Sequence, residues 1–119
     1  MRNDVLVETR TEKSNYSVGE EVKMSITMEN KGRGTIELIF TSAQRYDFLV
    51  LKDGKEIWRW SDGKVFGMVL GHLLLKSGEK QTYTEAWKPE DAAPGEYEVI
   101  GAITSQPAYK TASTFKISS

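Results

Sequence analysis

The chain has 119 residues and a formal net charge of −1 at pH 7, so its charge indicates neither a nucleic acid nor an anionic membrane as a partner. It contains no cysteine, which excludes disulfides, thiol catalysis and cysteine-ligated metals. No run approaches the roughly 20 apolar residues of a membrane-spanning helix, and the first five residues lack the apolar segment of a secretory signal. We therefore expect one domain, residues 1–119, acting as a cytoplasmic monomer.

The first third of the chain alternates apolar and polar residues, as strands with one buried face do. Residues 3–13 predict a first strand at a sheet edge, and residues 14–20 predict a turn with Gly19 at positive φ. Residues 21–30 form the clearest strand pattern, and residues 35–41 repeat it. The predicted inward positions of these two strands are Val22, Met24, Ile26, Met28, Ile36, Leu38 and Phe40.

The middle of the chain predicts a β-hairpin. Residues 45–52 and 55–60 are rich in aromatic and β-branched residues, and Asp53-Gly54 between them suits a tight turn. Residues 64–75 are ambiguous. They are compatible with short strands at 64–68 and 73–75 separated by a loop, or with a single helical turn.

The last third predicts three further strands, at residues 80–88, 96–104 and 110–118. Pro94 and Gly95 indicate a loop before the second of them, and residues 105–109 connect the last two. The total is about eight short strands, and no segment has a sustained helical pattern. This predicts an all-β fold, either a sandwich or a barrel, with the residue 22–28 stripe buried against Tyr97, Val99 and Ile103.

The sequence offers no positive sign of an enzyme or of a bound cofactor or metal. His72 is the one histidine, and nothing nearby suggests the carboxylate and nucleophile that a catalytic triad requires. We expect a loop histidine without a catalytic role. Glu20-Glu21 and Glu90-Asp91 are adjacent pairs, without the alternating ligands of an EF-hand loop.

Trp58 and Trp60 share one face of the predicted hairpin, and they allow two interpretations. An exposed aromatic row could stack on sugar rings or anchor a protein partner, whereas a buried row would belong to the core. Arg45, Asp47 and Arg59 are expected to form cross-strand pairs on the solvent face of the same hairpin.

Two segments of this region, FTSAQRYDF at residues 40–48 and WRWSDGKVF at residues 58–66, resemble the bacterial intracellular proteinase inhibitor (BsuPI-type) family. Shorter matches follow at residues 75–79, 83–87 and 94–97, so the resemblance covers roughly residues 22–103. It implies an immunoglobulin-like antiparallel β-sandwich. It also implies an inhibitor of a subtilisin-like serine protease that blocks the active-site cleft reversibly with a loop. The alternative is an immunoglobulin-like module without inhibitory activity that binds a protein or a carbohydrate.

The resemblance does not identify the inhibitory residues, so the contact loop is predicted from loop composition. Residues 69–73 combine leucines with a glycine, and residues 105–109 combine a rigid proline with an aromatic, whereas residues 30–34 suit a plain turn. We prefer the first loop, although Leu73 and Leu75 could equally belong to the core. The predicted protease-contact residues are Leu70, Gly71, His72, Leu73, Pro107 and Tyr109.

Overall fold

The structure is a computed structural model that describes residues 4–119, and these residues form ten β-strands. In this part of the chain no helix is long and apolar enough to span a membrane. The strands are β1 (Val5–Thr11), β2 (Asn15–Ser17), β3 (Val22–Asn30), β4 (Ile36–Phe40), β5 (Tyr46–Lys52), β6 (Lys55–Arg59), β7 (Gly71–Leu75), β8 (Lys80–Trp87), β9 (Gly95–Ile103) and β10 (Tyr109–Ser118).

Two sheets pack face to face, one of strand order β1-β3-β8 and one of order β2-β10-β9-β5-β6. Neighbouring strands are antiparallel except β2, which pairs with β10 in parallel. The N-terminal segment therefore changes sheets between β1 and β2. Strands β4 and β7 form a separate two-stranded ribbon. This architecture is the predicted antiparallel sandwich.

The core lies between the two sheets and follows from the alternation of the sequence. In β3 every second residue is buried because one face of the strand points at the opposite sheet. The facing side chains come from β9 and β10. The buried large apolar side chains of these three strands are Val22, Met24, Ile26, Met28, Tyr97, Val99, Ile103, Phe115 and Ile117. The prediction that the residue 22–28 stripe is buried with the residue 97–103 stripe is confirmed.

A tyrosine at the β8–β9 corner gives the sandwich an immunoglobulin-like signature. The Tyr97 hydroxyl donates a hydrogen bond back to the carbonyl of Ala93, four residues upstream. Such a tyrosine corner fixes the connection that crosses between the sheets of immunoglobulin-like domains. The predicted immunoglobulin-like sandwich is thereby confirmed.

The ribbon of β4 and β7 is tied to the rest of the molecule near Asn30, at the end of β3. The buried Asn30 side-chain amide donates to the carbonyls of Leu75 and Gly34, 2.8 Å away in each case. At its other end the ribbon pairs Phe40 with Gly71. The ribbon thus connects the end of β3 to the loops that precede β5 and β7.

Several predicted elements are confirmed. β1 is an edge strand, the hairpin of β5 and β6 closes at Asp53-Gly54, and Gly19 has φ +85°. Asp53 itself has φ +52° and Gly54 +78°, as a tight turn between strands requires. The predicted start of the first strand at Asn3 lies outside the described residues.

The structure differs from the sequence-based expectations in three details. The described chain has ten strands where about eight were expected, partly because residues 15–17, predicted as turn, form β2. Residues 64–68 form no strand, since most of their apolar side chains face solvent instead of a sheet partner. β7 begins at Gly71, so His72 is a strand residue and not a loop residue.

Candidate functional site

Three loops meet at the end of the sandwich where β5 and β10 begin: residues 41–45, 60–70 and 104–108. Hydrogen bonds join them in pairs. The Ala43 N–H donates to the Gly67 carbonyl at 2.8 Å, and the Thr104 hydroxyl donates to the Gln44 carbonyl at 2.8 Å. The loops therefore form one continuous surface, as the end loops of antibody variable domains do.

The β6–β7 loop carries apolar side chains into solvent. Val65 is 97% exposed, Met68 88%, and Val69 and Leu70 63% each. Such a run of exposed apolar residues is uncommon on a surface without a binding role. This loop is the most prominent apolar feature of the surface in residues 4–119.

The segment Met68–Leu70 is held at both of its ends. Just before it, the Gly67 carbonyl accepts the hydrogen bond from Ala43; just after it, Gly71 pairs with Phe40 in the ribbon. Three apolar residues are thus presented between two fixed points. Because the flanks are fixed, binding would cost this segment less conformational entropy than it would cost a free loop.

A buried carboxylate fixes the start of the loop. Asp47 is only 6% exposed, and it accepts hydrogen bonds from the Ser61 hydroxyl at 2.5 Å and the Ser61 N–H at 3.1 Å. It also accepts from the Phe48 N–H at 2.9 Å and from Arg59 at 3.4 Å. The expected pair of Asp47 and Arg59 therefore forms, but the carboxylate is inside the protein and not on the solvent face.

Arg45 and Arg59 differ from the predicted surface pairs in other ways. The Arg45 guanidinium lies 4.5 Å from the centroid of the Phe40 ring, beside Gly71. Arg59 also pairs with Glu56 at 2.7 Å, and this hydrogen bond is the main cause that raises the pKa of Arg59. Both side chains thus make contacts within the protein, at the end of the sandwich where the three loops meet.

The aromatic side chains of this region pack against each other and against the core. Tyr46 stacks between Trp60 and Tyr83, with ring centroids 4.6 Å apart on both sides. Phe66 from the β6–β7 loop contacts Trp60 at 5.9 Å. Trp58 and Trp60 are half-buried and pack on the core, so the structure supports their interpretation as core residues.

The structure separates the four contact residues predicted around β7. Leu70 is exposed at the end of the loop, whereas Gly71 begins β7 and is half-buried. His72 lies on the outer face of β7, with its Nδ1 2.6 Å from Glu37 Oε2. Leu73 is half-buried and packs on the core, as the alternative interpretation held.

The two predicted contact residues of the β9–β10 connection also differ from each other. Pro107 is exposed and follows a cis peptide bond, while Tyr109 is half-buried and packs on the core. The Gln106 N–H donates to the Ile39 carbonyl at 2.8 Å, which places this loop beside the ribbon. Leu70 and Pro107 thus belong to loops that border the same ribbon.

Val65 and Met68 were not among the predicted contact residues because their apolar character suggested a strand. The signal that could have identified them is the break in alternation around Gly67, which favours an irregular segment over a paired one. No group of three or more histidine, aspartate or glutamate side chains that could hold a metal ion occurs in residues 4–119.

Fold and loop arrangement define an immunoglobulin-like β-sandwich with three linked loops at one end. The sequence pattern of the intracellular proteinase inhibitor (BsuPI) family matches residues 9–108, so the chain belongs to that family. This confirms the resemblance seen in the sequence. No curated protein matches the chain by sequence.

Solved structures with a similar fold come from proteins of diverse kinds. The sporulation control protein Spo0M of Bacillus subtilis matches with a TM-score of 0.57 and 18% identity, over 98% of this chain and 49% of that one. A β-glucosidase from Erythrobacter marinus matches with a TM-score of 0.54 and 15% identity, over 96% of this chain and 15% of the enzyme.

A CARDB domain from Pyrococcus furiosus, solved in complex with di-metal ions, matches with a TM-score of 0.51 and 16% identity. That match covers 97% of this chain and 86% of the CARDB chain. The present chain spans less than half the length of the first two proteins. At these identities the similarity concerns the fold alone.

Proposed function

We propose that this protein inhibits a subtilisin-like serine protease inside the cell by placing residues 65–70 reversibly in the active-site cleft. The observation that carries the proposal is the apolar segment Met68–Leu70, exposed to solvent and fixed at both ends. Membership in the family supports protease inhibition as the activity, and the exposed loop offers a segment that could enter the active-site cleft.

An extended segment can bind a protease as a strand added to the edge of its cleft. The backbone then supplies hydrogen bonds, and alternate side chains enter the pockets that determine specificity. Met68 and Leu70, which share one face of such a strand, would fill apolar pockets. We therefore expect a target whose specificity pockets are apolar, bound by one inhibitor molecule per protease.

The contact residues predicted from sequence take different roles in this proposal. Leu70 and Pro107 would contact the protease directly, because both are exposed on the linked loops. Leu73 and Tyr109 would support the loops from the core side. Gly71 would hold the end of the segment through its pairing with Phe40.

The test is the steady-state hydrolysis of a peptide substrate by a subtilisin-type protease, titrated with this protein. The intact mass of the inhibitor is measured afterwards. We expect stoichiometric loss of activity with the inhibitor uncut. Full activity with an uncut protein would overturn the proposal and favour the non-inhibitory binding module, and a cleaved protein would make it a substrate.

The variant Met68→Asp tests the loop assignment. A charge in an apolar pocket should raise the inhibition constant about 30-fold or more, which is the size of a hot-spot effect. Val18→Asp is the matched control, because Val18 is an exposed apolar residue (44%) near the C-terminal end of β10. Equal inhibition by the two variants would show that the loop does not enter the cleft.

A further inference from the structure

We propose that the outer face of the β4–β7 ribbon is a second contact surface for the protease held by the loop. The ribbon face consists of Glu37, Ile39, His72 and Leu74. The inference rests on the proposed function, because the partner is the protease whose cleft receives Met68–Leu70. It adds a surface outside the cleft that would contribute affinity and target choice.

The two faces of the ribbon differ in burial, as alternation along a strand requires. On the inner face Leu38, Phe40 and Leu75 are at most 3% exposed. On the outer face Ile39 is 37% and Leu74 60% exposed. The outer face therefore presents two large apolar side chains that contribute little to the core.

The register places these side chains at opposite corners of a small patch. Ile39 lies opposite His72, and Leu74 lies opposite Glu37. His72 and Glu37 occupy the other two corners, and His72 Nδ1 lies 2.6 Å from Glu37 Oε2. The polar groups of the patch are thus already paired, which lowers the cost of removing them from water in an interface.

The ribbon face is continuous with the proposed inhibitory loop. Leu70 leads directly into Gly71 at the start of β7, and the carbonyl of Ile39 accepts the Gln106 N–H from the neighbouring loop. Leu74 is four residues beyond Leu70, or about 13 Å along an extended strand. A protein that encloses the loop would therefore reach the ribbon face.

The size of stable interfaces supports the same assignment. A specific complex engages about 20–30 residues on each side and buries about 800 Å² per partner. The six residues 65–70 cannot supply that area alone. The remainder must come from surfaces beside the loop, and the ribbon face is an exposed apolar one in that position.

The test compares two double variants in the protease titration. Ile39→Ser with Leu74→Ser removes the apolar corners of the ribbon face. Leu6→Ser with Ile57→Ser is the matched control, because Leu6 is 43% and Ile57 47% exposed on strands β1 and β6, which are not part of the ribbon. We expect the ribbon variant to raise the inhibition constant about tenfold or more, mainly through faster dissociation.

The outcomes separate this inference from the proposed function. If the wild type does not inhibit, the proposed function itself fails. If the wild type inhibits and the ribbon variant matches the control, only the ribbon assignment fails. Leu74→Arg repeats the test with a single substitution at an exposed residue. A urea unfolding curve equal to that of the wild type shows that a variant is folded.

The same variants decide whether the ribbon face binds a second copy of this chain instead. Sedimentation of the free wild-type protein over a range of concentrations reports its oligomeric state. A dimer that dissociates in the ribbon variant would assign the face to self-association and overturn the proposal. We expect a monomer in both.

Discussion

The Tyr46 side chain shows how a single residue can make stability depend on pH. Burial, together with the 2.5 Å hydrogen bond from its hydroxyl to Glu85 Oε2, raises the pKa of Tyr46 above its ordinary value of 10.0. Burial also raises the pKa values of Tyr83 and Tyr97. The folded protein therefore keeps these phenols protonated at pH values where the unfolded chain ionises them.

We predict that the free energy of unfolding falls as the pH rises above about 10, because there the unfolded state binds fewer protons than the folded state. Below that pH the contribution of Tyr46 is fully present. In Tyr46→Phe the free energy of unfolding should fall less steeply with pH, since only Tyr83 and Tyr97 still contribute to the pH dependence. Urea unfolding between about pH 8 and 11.5 measures both slopes. Parallel slopes in the two proteins would contradict the prediction.

His72 shows what a sequence can and cannot indicate about a single residue. Nothing near His72 along the chain suggested a carboxylate or nucleophile partner, which argued against a catalytic role. The carboxylate that contacts His72 belongs to Glu37, 35 residues earlier, and β4–β7 pairing brings the two together. A contact that depends on strand register between distant segments is not visible in a single sequence.

The strands were predictable to the degree that one of their faces is buried. β3 was predicted almost to the residue because its alternation is regular and every second side chain enters the core. β2 was missed because its three residues lie within a turn cluster. They become a strand only by pairing in parallel with residues 116–118, a hundred residues away.

The exposure of the β6–β7 loop was not predictable from sequence for a related reason. Apolar residues usually indicate a buried element, but Val65 and Met68 face solvent. Their exposure is set by the tether at Gly67 and by the contact of Phe66 with Trp60, and both are tertiary features. The candidate site was thus predictable as a neighbourhood that includes the exposed Leu70, whereas the exposure of Val65 and Met68 was not predictable.

We predict that Phe66→Ala loosens this loop without unfolding the protein. Phe66 is half-buried against Trp60, so the change should cost only about 1 kcal/mol of stability. A looser loop should inhibit less and be cut by the protease. Intact mass after incubation with a subtilisin-type protease locates the cut. Val18→Ala is the control because Val18 is an exposed apolar residue (44%) outside the loop, and equal resistance of both variants would contradict the prediction.

At the scale of the whole molecule, the two sheets approach closely at Gly101. This β9 residue pairs with Phe48 and Thr111, and a methyl group added to it would meet the Thr9 hydroxyl from β1 and lie 3.2 Å from the Ile26 side chain. Thr9 is buried and its hydroxyl contacts that of Thr111 at 2.6 Å. The absence of a side chain at residue 101 therefore sets the spacing between the sheets.

We predict that Gly101→Ala lowers the free energy of unfolding by about 1–3 kcal/mol, the usual cost of overpacking a core. Thr9→Ala removes the hydroxyl that the added methyl group would meet. Gly101→Ala should therefore lower the free energy of unfolding less in a protein that already carries Thr9→Ala. Urea unfolding of both single variants and of the double variant gives the coupling free energy between residues 9 and 101. Additive costs would show that Thr9 does not limit the approach of the sheets. Inhibition by folded Gly101→Ala should equal that of the wild type, because the three loops meet at the end of the sandwich while Gly101 is buried between its sheets.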